Sequence, residues 1–221
     1  MVRRPPRSTL DRSSAASDVY KRQSLTPAKA IDLLKEGNKR FVNNLKVNRN
    51  LLQQVNETSG GQYPLAVVLS CIDSRTSAEL IFDQGLGDIF SVRIAGNIIN
   101  EDILGSMEFA CKVAGAKALV VLGHSKCGAV KGACDHVELG NLTNLLSKLQ
   151  PAVYAEKTVT TDRTSANDEF VEKVATLNVK MAMHQIHDKS TILNAMILKG
   201  EIAIIGGMYN VETGVVEFYE E

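Results

Sequence analysis

Short uninterrupted apolar runs alternate along this chain with longer amphipathic stretches, and each change of period predicts a change of element. LAVVLS (65–70), DIFSVRI (88–94), KALVVLG (117–123) and EIAIIGGMYN (201–210) are Val/Ile/Leu-rich runs of strand length. Near-continuous runs of this kind mark strands covered on both faces. Between them, EDILGSMEFACKVA (101–114), most of 128–155, and 168–199 predict helices, while the polar stretch 156–167 predicts a loop. VETG (211–214) reads as a turn into a last strand, VVEFYE (215–220), paired as a hairpin. Ahead of the first strand, Thr26 is placed to cap a helix with Pro27 at its first position, and Ile31, Leu34, Phe41 and Leu45 give it an apolar stripe. A second short helix over 51–58 is stopped by Ser59-Gly60-Gly61.

Strands alternating with helices predict an α/β fold. The expected architecture is a mainly parallel sheet of four strands in the order 2-1-3-4 with an added C-terminal strand. Helices cover both faces, and an N-terminal helical arm precedes the sheet. A chain of 221 residues without an internal repeat suits a single domain, read here as 24–221. Residues 1–23, MVRRPPRSTLDRSSAASDVYKRQ, are Arg/Ser-rich, lack apolar periodicity and resemble translated sequencing adapter; they read as a disordered, non-native leader. That segment holds six of the 25 basic and two of the 25 acidic side chains, leaving 19 against 23, or −4, in the rest. Scattered charge of that sign gives no footprint for nucleic acid. No apolar run approaches the ~18 residues of a membrane span, and the start lacks the basic-apolar-small order of a secretory signal. The four cysteines, 71, 111, 127 and 134, therefore read as reduced thiols of a cytoplasmic protein.

Chemistry concentrates at two strand ends. The first strand runs into Cys71-Ile72-Asp73-Ser74-Arg75, and the third into His124-Ser125-Lys126-Cys127. Singly, each residue has an ordinary reading: a buried thiol, a helix cap, a surface charge, a core histidine. In an open parallel sheet, however, ligands bind beyond the carboxyl ends of strands where the strand order reverses. If strands one and three are neighbours there, two thiols and an imidazole meet in one crevice. That set suits zinc and leaves its fourth position open. GLG at 85–87 lacks the rest of a dinucleotide fingerprint and reads as a turn.

CIDSR followed by GHSKCGAV resembles the signature of the β-class carbonic anhydrases, Cys-x-Asp-x-Arg with His-x-x-Cys. The resemblance extends through VRIAGN (92–97) to GGMYNVETGVV near the C-terminus. It implies one Zn²⁺ per chain on Cys71, His124 and Cys127, with Asp73 and Arg75 as a catalytic dyad. The implied reaction is reversible hydration of CO₂ to bicarbonate and a proton through a zinc-bound hydroxide. Asp73 steers that hydroxide and Arg75 keeps the carboxylate ionised and turned away from zinc. The resemblance also implies a substrate pocket of Gln62, Phe90, Ala95 and Phe109, with Gln62 reaching substrate in the neighbouring subunit of a homodimer or tetramer. Phe109 stands where the family often has tyrosine. Arg93 matches an arginine that helps hold a regulatory bicarbonate in some members, while Val68 replaces the tryptophan of that site. Cys111 and Cys134 match no ligand and read as packing residues. Competing readings are CS₂ or COS hydrolysis in the same fold, and a non-catalytic zinc protein with Asp73 as fourth ligand. A thiol-redox role is disfavoured by the lack of Cys-x-x-Cys.

Overall fold

The structure is a computed structural model that describes residues 25–219. The expected leader at 1–23 lies outside the described residues. The first helix, α1 (Pro27–Val42), starts at Thr26, whose hydroxyl accepts from the Lys29 amide at 3.2 Å. Helix α2 (Leu51–Thr58) follows, capped by Asn50. The strands are β1 (Ala66–Ser70), β2 (Ile89–Arg93), β3 (Ala118–His124), β4 (Ala203–Tyr209) and β5 (Val216–Tyr219). Among the described residues they form one sheet in the order β2-β1-β3-β4-β5. The first four strands are parallel and β5 runs antiparallel to β4, as the sequence predicts.

The helical stretches differ in detail from their expected form. The predicted helix over 101–114 is α4 (Glu101–Glu108) followed by a π-helical turn (Phe109–Val113). A four-residue helix, α3 (Ala78–Ile81), and a 3₁₀ turn (Ala95–Asn97) were not expected. The 128–155 stretch divides into α5 (Gly128–Cys134), α6 (Gly140–Ser147) and α7 (Gln150–Ala155). The 168–199 stretch divides at Ser190 into α8 (Asp168–Lys189) and α9 (Thr191–Leu198), because the Ser190 hydroxyl caps Leu193 N at 3.1 Å.

Strand alternation sorts the core into two layers. Val67, Leu69, Leu119 and Val121 face a large cluster roofed by α4 to α9. Helix α8 approaches closely because β3 and β4 carry glycines beneath it. A Cβ at Gly123 or Gly206 would come within 2.6 Å of Met208 or Met183 Sδ, with Val179 of α8 crowding both positions. Ala66, Val68, Val120 and Ile205 face a thinner layer under α1 and α3. Helix α1 buries only Ala30, Leu34, Gly37 and Asn38. At about 1.5–3 kcal/mol for a fully buried leucine, so few contacts give Asn38 unusual weight in fixing this helix.

Candidate metal centre

The site follows from the register of β1 and β3. Ser70 pairs with Leu122, so the residues just beyond reach the same edge of the sheet. Cys71 is the first residue after β1, and His124 is the last of β3. Between His124 and Cys127 the chain reverses through Lys126, which takes the left-handed conformation at φ 55°. The turn delivers Cys127 to the residue before α5. One ligand atom each from Cys71, His124 and Cys127 then lie within 4.8 Å of one another, and the two Sγ atoms are 4.0 Å apart.

All three side chains are buried. The His124 Nδ1 lies 2.9 Å from the Ser125 carbonyl oxygen. A carbonyl only accepts, so Nδ1 carries the proton and Nε2 presents its lone pair. That Nε2 is buried and without a hydrogen-bond partner. An orphaned imidazole nitrogen is costly unless something fills the place before it. Two thiols and this lone pair fit a Zn²⁺ ion with one coordination place left over.

The two thiols are polarised in opposite directions. The hydrogen bond from Cys127 draws the Cys71 thiol well down against the cost of burial, helped by the Gly96 amide at 3.4 Å. The same bond, with burial, pushes Cys127 up. Cys111 and Cys134 lack such partners, and burial pushes them up to about 12 and about 11. They are packing thiols, as their sequence context suggested.

Asp73 and Arg75 form a two-pronged pair beside the triad. Arg75 donates from Nε to Asp73 Oδ1 at 2.9 Å and from Nη2 to Oδ2 at 2.7 Å, while its backbone amide also donates to Oδ1. The guanidinium holds the Asp73 carboxyl below the usual carboxylate range, outweighing partial burial. Asp73 Oδ2 remains 4.0 Å from His124 Nε2. Behind the dyad, the Thr76 hydroxyl donates to the carbonyls of Cys71 and Asp73. Arg93 Nε donates to Cys71 O at 3.0 Å and its Nη2 to Asp73 O at 2.6 Å. The guanidinium matched to a regulatory anion is thus engaged in holding the ligand loop.

The remaining predicted positions divide. Phe90 and Phe109 meet edge to face, centroids 6.2 Å apart, along a groove of about 810 Å³ that also touches Arg93. Ala95 opens the 3₁₀ turn whose Gly96 amide reaches Cys71. Gly96 sits at φ 66°, and a Cβ there would strike Leu149 at 2.9 Å. Gln62 is exposed in the segment before β1, away from the groove lining. Sequence reasoning passed over Thr76, Ser125 and Asn178, whose Nδ2 donates to Gly96 O at 2.8 Å. Thr76 and Ser125 stand beside or within the motifs among other polar residues and gave no separate signal, while Asn178 is a polar position in a mostly apolar run.

Known proteins match this arrangement. Residues 66–216 fit the family model described as carbonic anhydrase. "Carbonic anhydrase 2" of Mycobacterium tuberculosis is 37% identical over 196 residues, covering 85% of this chain and 90% of that one. The β-carbonic anhydrase CafA of Aspergillus fumigatus superposes with a TM-score of 0.66 at 27% identity, over 87% of this chain and 90% of that one. One of two tetrameric β-carbonic anhydrases of Sordaria macrospora shares the fold with a TM-score of 0.68 at 22% identity, over 88% and 95%.

Proposed function

The chain belongs to the β class of the carbonic anhydrases, and from that premise we propose how its own residues divide the work. The protein is a carbonate dehydratase, a lyase that interconverts carbon dioxide and water with bicarbonate and a proton in a zinc-dependent reaction. One observation carries this reading. Two thiols and an orphaned imidazole nitrogen converge within 4.8 Å at the end of a sheet, beside a carboxylate locked by an arginine.

Cys71, His124 and Cys127 would hold the ion. Zinc bound there supplies a Lewis acid that makes water nucleophilic near neutral pH. The Asp73 carboxylate, kept ionised by Arg75, accepts a hydrogen bond from the attacking water at Oδ2 and fixes the direction of its lone pair toward CO₂. Arg75 engages both carboxylate oxygens yet leaves Oδ2 one acceptor site, which favours a steering role for Asp73 over that of a permanent fourth ligand. Phe90, Ala95 and Phe109 offer CO₂ a surface with no hydrogen-bonding side-chain groups. Gln62 binds substrate from the neighbouring subunit. Its exposure supports a role across a contact, as do Leu51, Leu52 and Val55, exposed on a helix α2 that buries nothing. We therefore read the working form as a homodimer or tetramer. No helix among the described residues is long and apolar enough to cross a membrane, and the free cysteines fit a cytoplasmic setting.

The deciding experiment is Cys127→Ala, with zinc measured by elemental analysis and CO₂ hydration by stopped flow. The parent chain should hold one zinc, and the variant should lose both metal and turnover. Unchanged metal content and rate in the variant would overturn the assignment.

A further inference from the structure

The metal ligands are also braced by contacts in which the Asp73–Arg75 dyad takes no part. Ser125, between His124 and Cys127, is buried, and its hydroxyl accepts from the Val211 amide at 3.0 Å. Its own amide donates to Tyr209 O at 2.9 Å, continuing the β3–β4 ladder one step past His124. Next to it, Lys126 reaches Glu212 at 2.5 Å. The ligand turn is thus bound to the β4–β5 turn at residues 210–215, and through Ser125 O to the ring of His124.

The β4–β5 turn is held in turn by Asn38. This side chain is 5% exposed in the middle of α1. Its Nδ2 donates to Gly214 O at 2.9 Å and to Ile81 O at 3.2 Å, and its Oδ1 accepts from Val216 N at 2.9 Å. One amide therefore fixes both ends of the turn's closing segment and ties it to the end of α3. Phe41 closes the same contact, 3.0 Å from where a Cβ on Gly214 would stand. Buried polar groups satisfied this fully position their neighbours, since any displacement leaves several unpaired at once.

Building on the zinc reading above, we infer that Asn38 is a positioning residue for the metal centre, acting through the β4–β5 turn and Ser125 to orient His124. The route is contiguous: Asn38 to Gly214 and Val216, Val211 to the Ser125 hydroxyl, and the Ser125 carbonyl to His124 Nδ1. Groups behind a metal-bound histidine commonly alter metal affinity about 10–100-fold when removed.

The test uses the full chain loaded with one equivalent of zinc. Asn38→Ala, Ser125→Ala, the double variant and Ile186→Val, a buried α8 control remote from the turn, are each challenged with a chromogenic chelator. The visible spectrum of the Co(II)-loaded forms is recorded in parallel. Asn38→Ala and Ser125→Ala should each release zinc about 10-fold faster and shift the Co(II) bands, with the double variant little worse than either single one. Ile186→Val should change neither. Zinc release and spectrum unchanged in a folded Asn38→Ala, or effects of the two substitutions that simply add, would overturn the inference. If Asn38→Ala does not fold, Asn38→Ser takes its place in both measurements, since it keeps a small polar side chain in α1 but cannot bridge Gly214 and Val216 together; a folded Asn38→Ser unchanged in zinc release and spectrum would overturn the inference. A parent chain that holds no zinc would bring down the metal reading and this inference together. A parent that holds zinc beside indifferent variants would bring down this inference alone.

Discussion

Past Ser70 the backbone leaves β1, and side chains are no longer sorted by alternation but by what each one bonds. Cys71 turns inward to the Gly96 amide and Cys127, while Asp73 turns to its own neighbour Arg75. The metal-ligand part of the site was legible in the sequence because two thiols and an imidazole stand at the carboxyl ends of two strands that neighbour each other. Thr76, Ser125 and Asn178 were not legible, because a polar side chain shows its burial only after the chain has folded around it. Arg75 is the residue on which the dyad turns. Its removal leaves Asp73 free to swing toward His124 Nε2, 4.0 Å away, and onto the open ligand position. Arg75→Ala should therefore lower CO₂ hydration about 100-fold or more while elemental analysis still finds one zinc per chain. A near-normal rate would reduce Arg75 to a surface charge. The depressed Asp73 value also fixes a sign. A carboxylate stabilised in the fold adds stability above its unfolded pKa of ~3.9, and that contribution fades as pH falls through the folded value.

At the scale of elements, legibility followed length. β1 and β3 declared themselves as uninterrupted apolar runs and α8 as part of the helical stretch 168–199, whereas α3 and the 3₁₀ turn at Ala95–Asn97 are too short to leave a pattern. The π-helical turn escaped because Phe109–Val113 continues the sequence of the helix before it with no Gly, Pro or capping residue to mark the change. Between α1 and α2 lies another feature that pattern could not show. Asp83, 2% exposed, accepts from Arg40 Nε at 2.6 Å, Arg49 Nη1 at 2.5 Å and the Val47 amide at 3.2 Å. Burial would raise this carboxyl, but the two arginines and the amide prevail and lower it. The extended segment joining α1 to α2 is held down at this point. Asp83→Asn keeps the shape and removes the charge. It should cost about 1.5–3 kcal/mol, as for hydrogen bonds to a charged group, with the partial exposure of both arginines favouring the lower end. The measurement is a urea melt at pH 7 together with limited proteolysis across 43–50. The difference between parent and variant should shrink as pH falls below ~4, where Asp83 of the unfolded chain begins to take up a proton, and should be lost once pH passes the lowered folded value. Equal midpoints at pH 7 would show that the arm is held elsewhere.

For the molecule as a whole, the strand order was legible from chemistry as much as from pattern. Only with β1 beside β3 do Cys71 and His124 share an edge, and the sheet has that order. The surface proposed above to meet a second copy is carried by helix α2. Helix α2 has eight residues and no buried side chain, with Leu51 56%, Leu52 73% and Val55 48% exposed. A helix so short is marginal by itself in water, and an apolar face with nothing beneath it is a liability unless it is covered. A second copy is the occupant proposed above, because Gln62 follows α2 directly and is exposed in the same stretch. The two features make a joint prediction. Leu52→Asp combined with Val55→Asp should shift the sedimentation mass from an oligomer to a monomer. Zinc content should stay at one per chain, since Cys71, His124 and Cys127 come from the same subunit. Hydration should nevertheless fall, by about 100-fold if substrate loses a positioning contact, and mixing the variant with a zinc-free Cys127→Ala chain should not restore the rate. A parent chain that sediments as a monomer would remove the contact altogether. A monomeric variant with full activity would keep the contact and exclude Gln62 from the reaction.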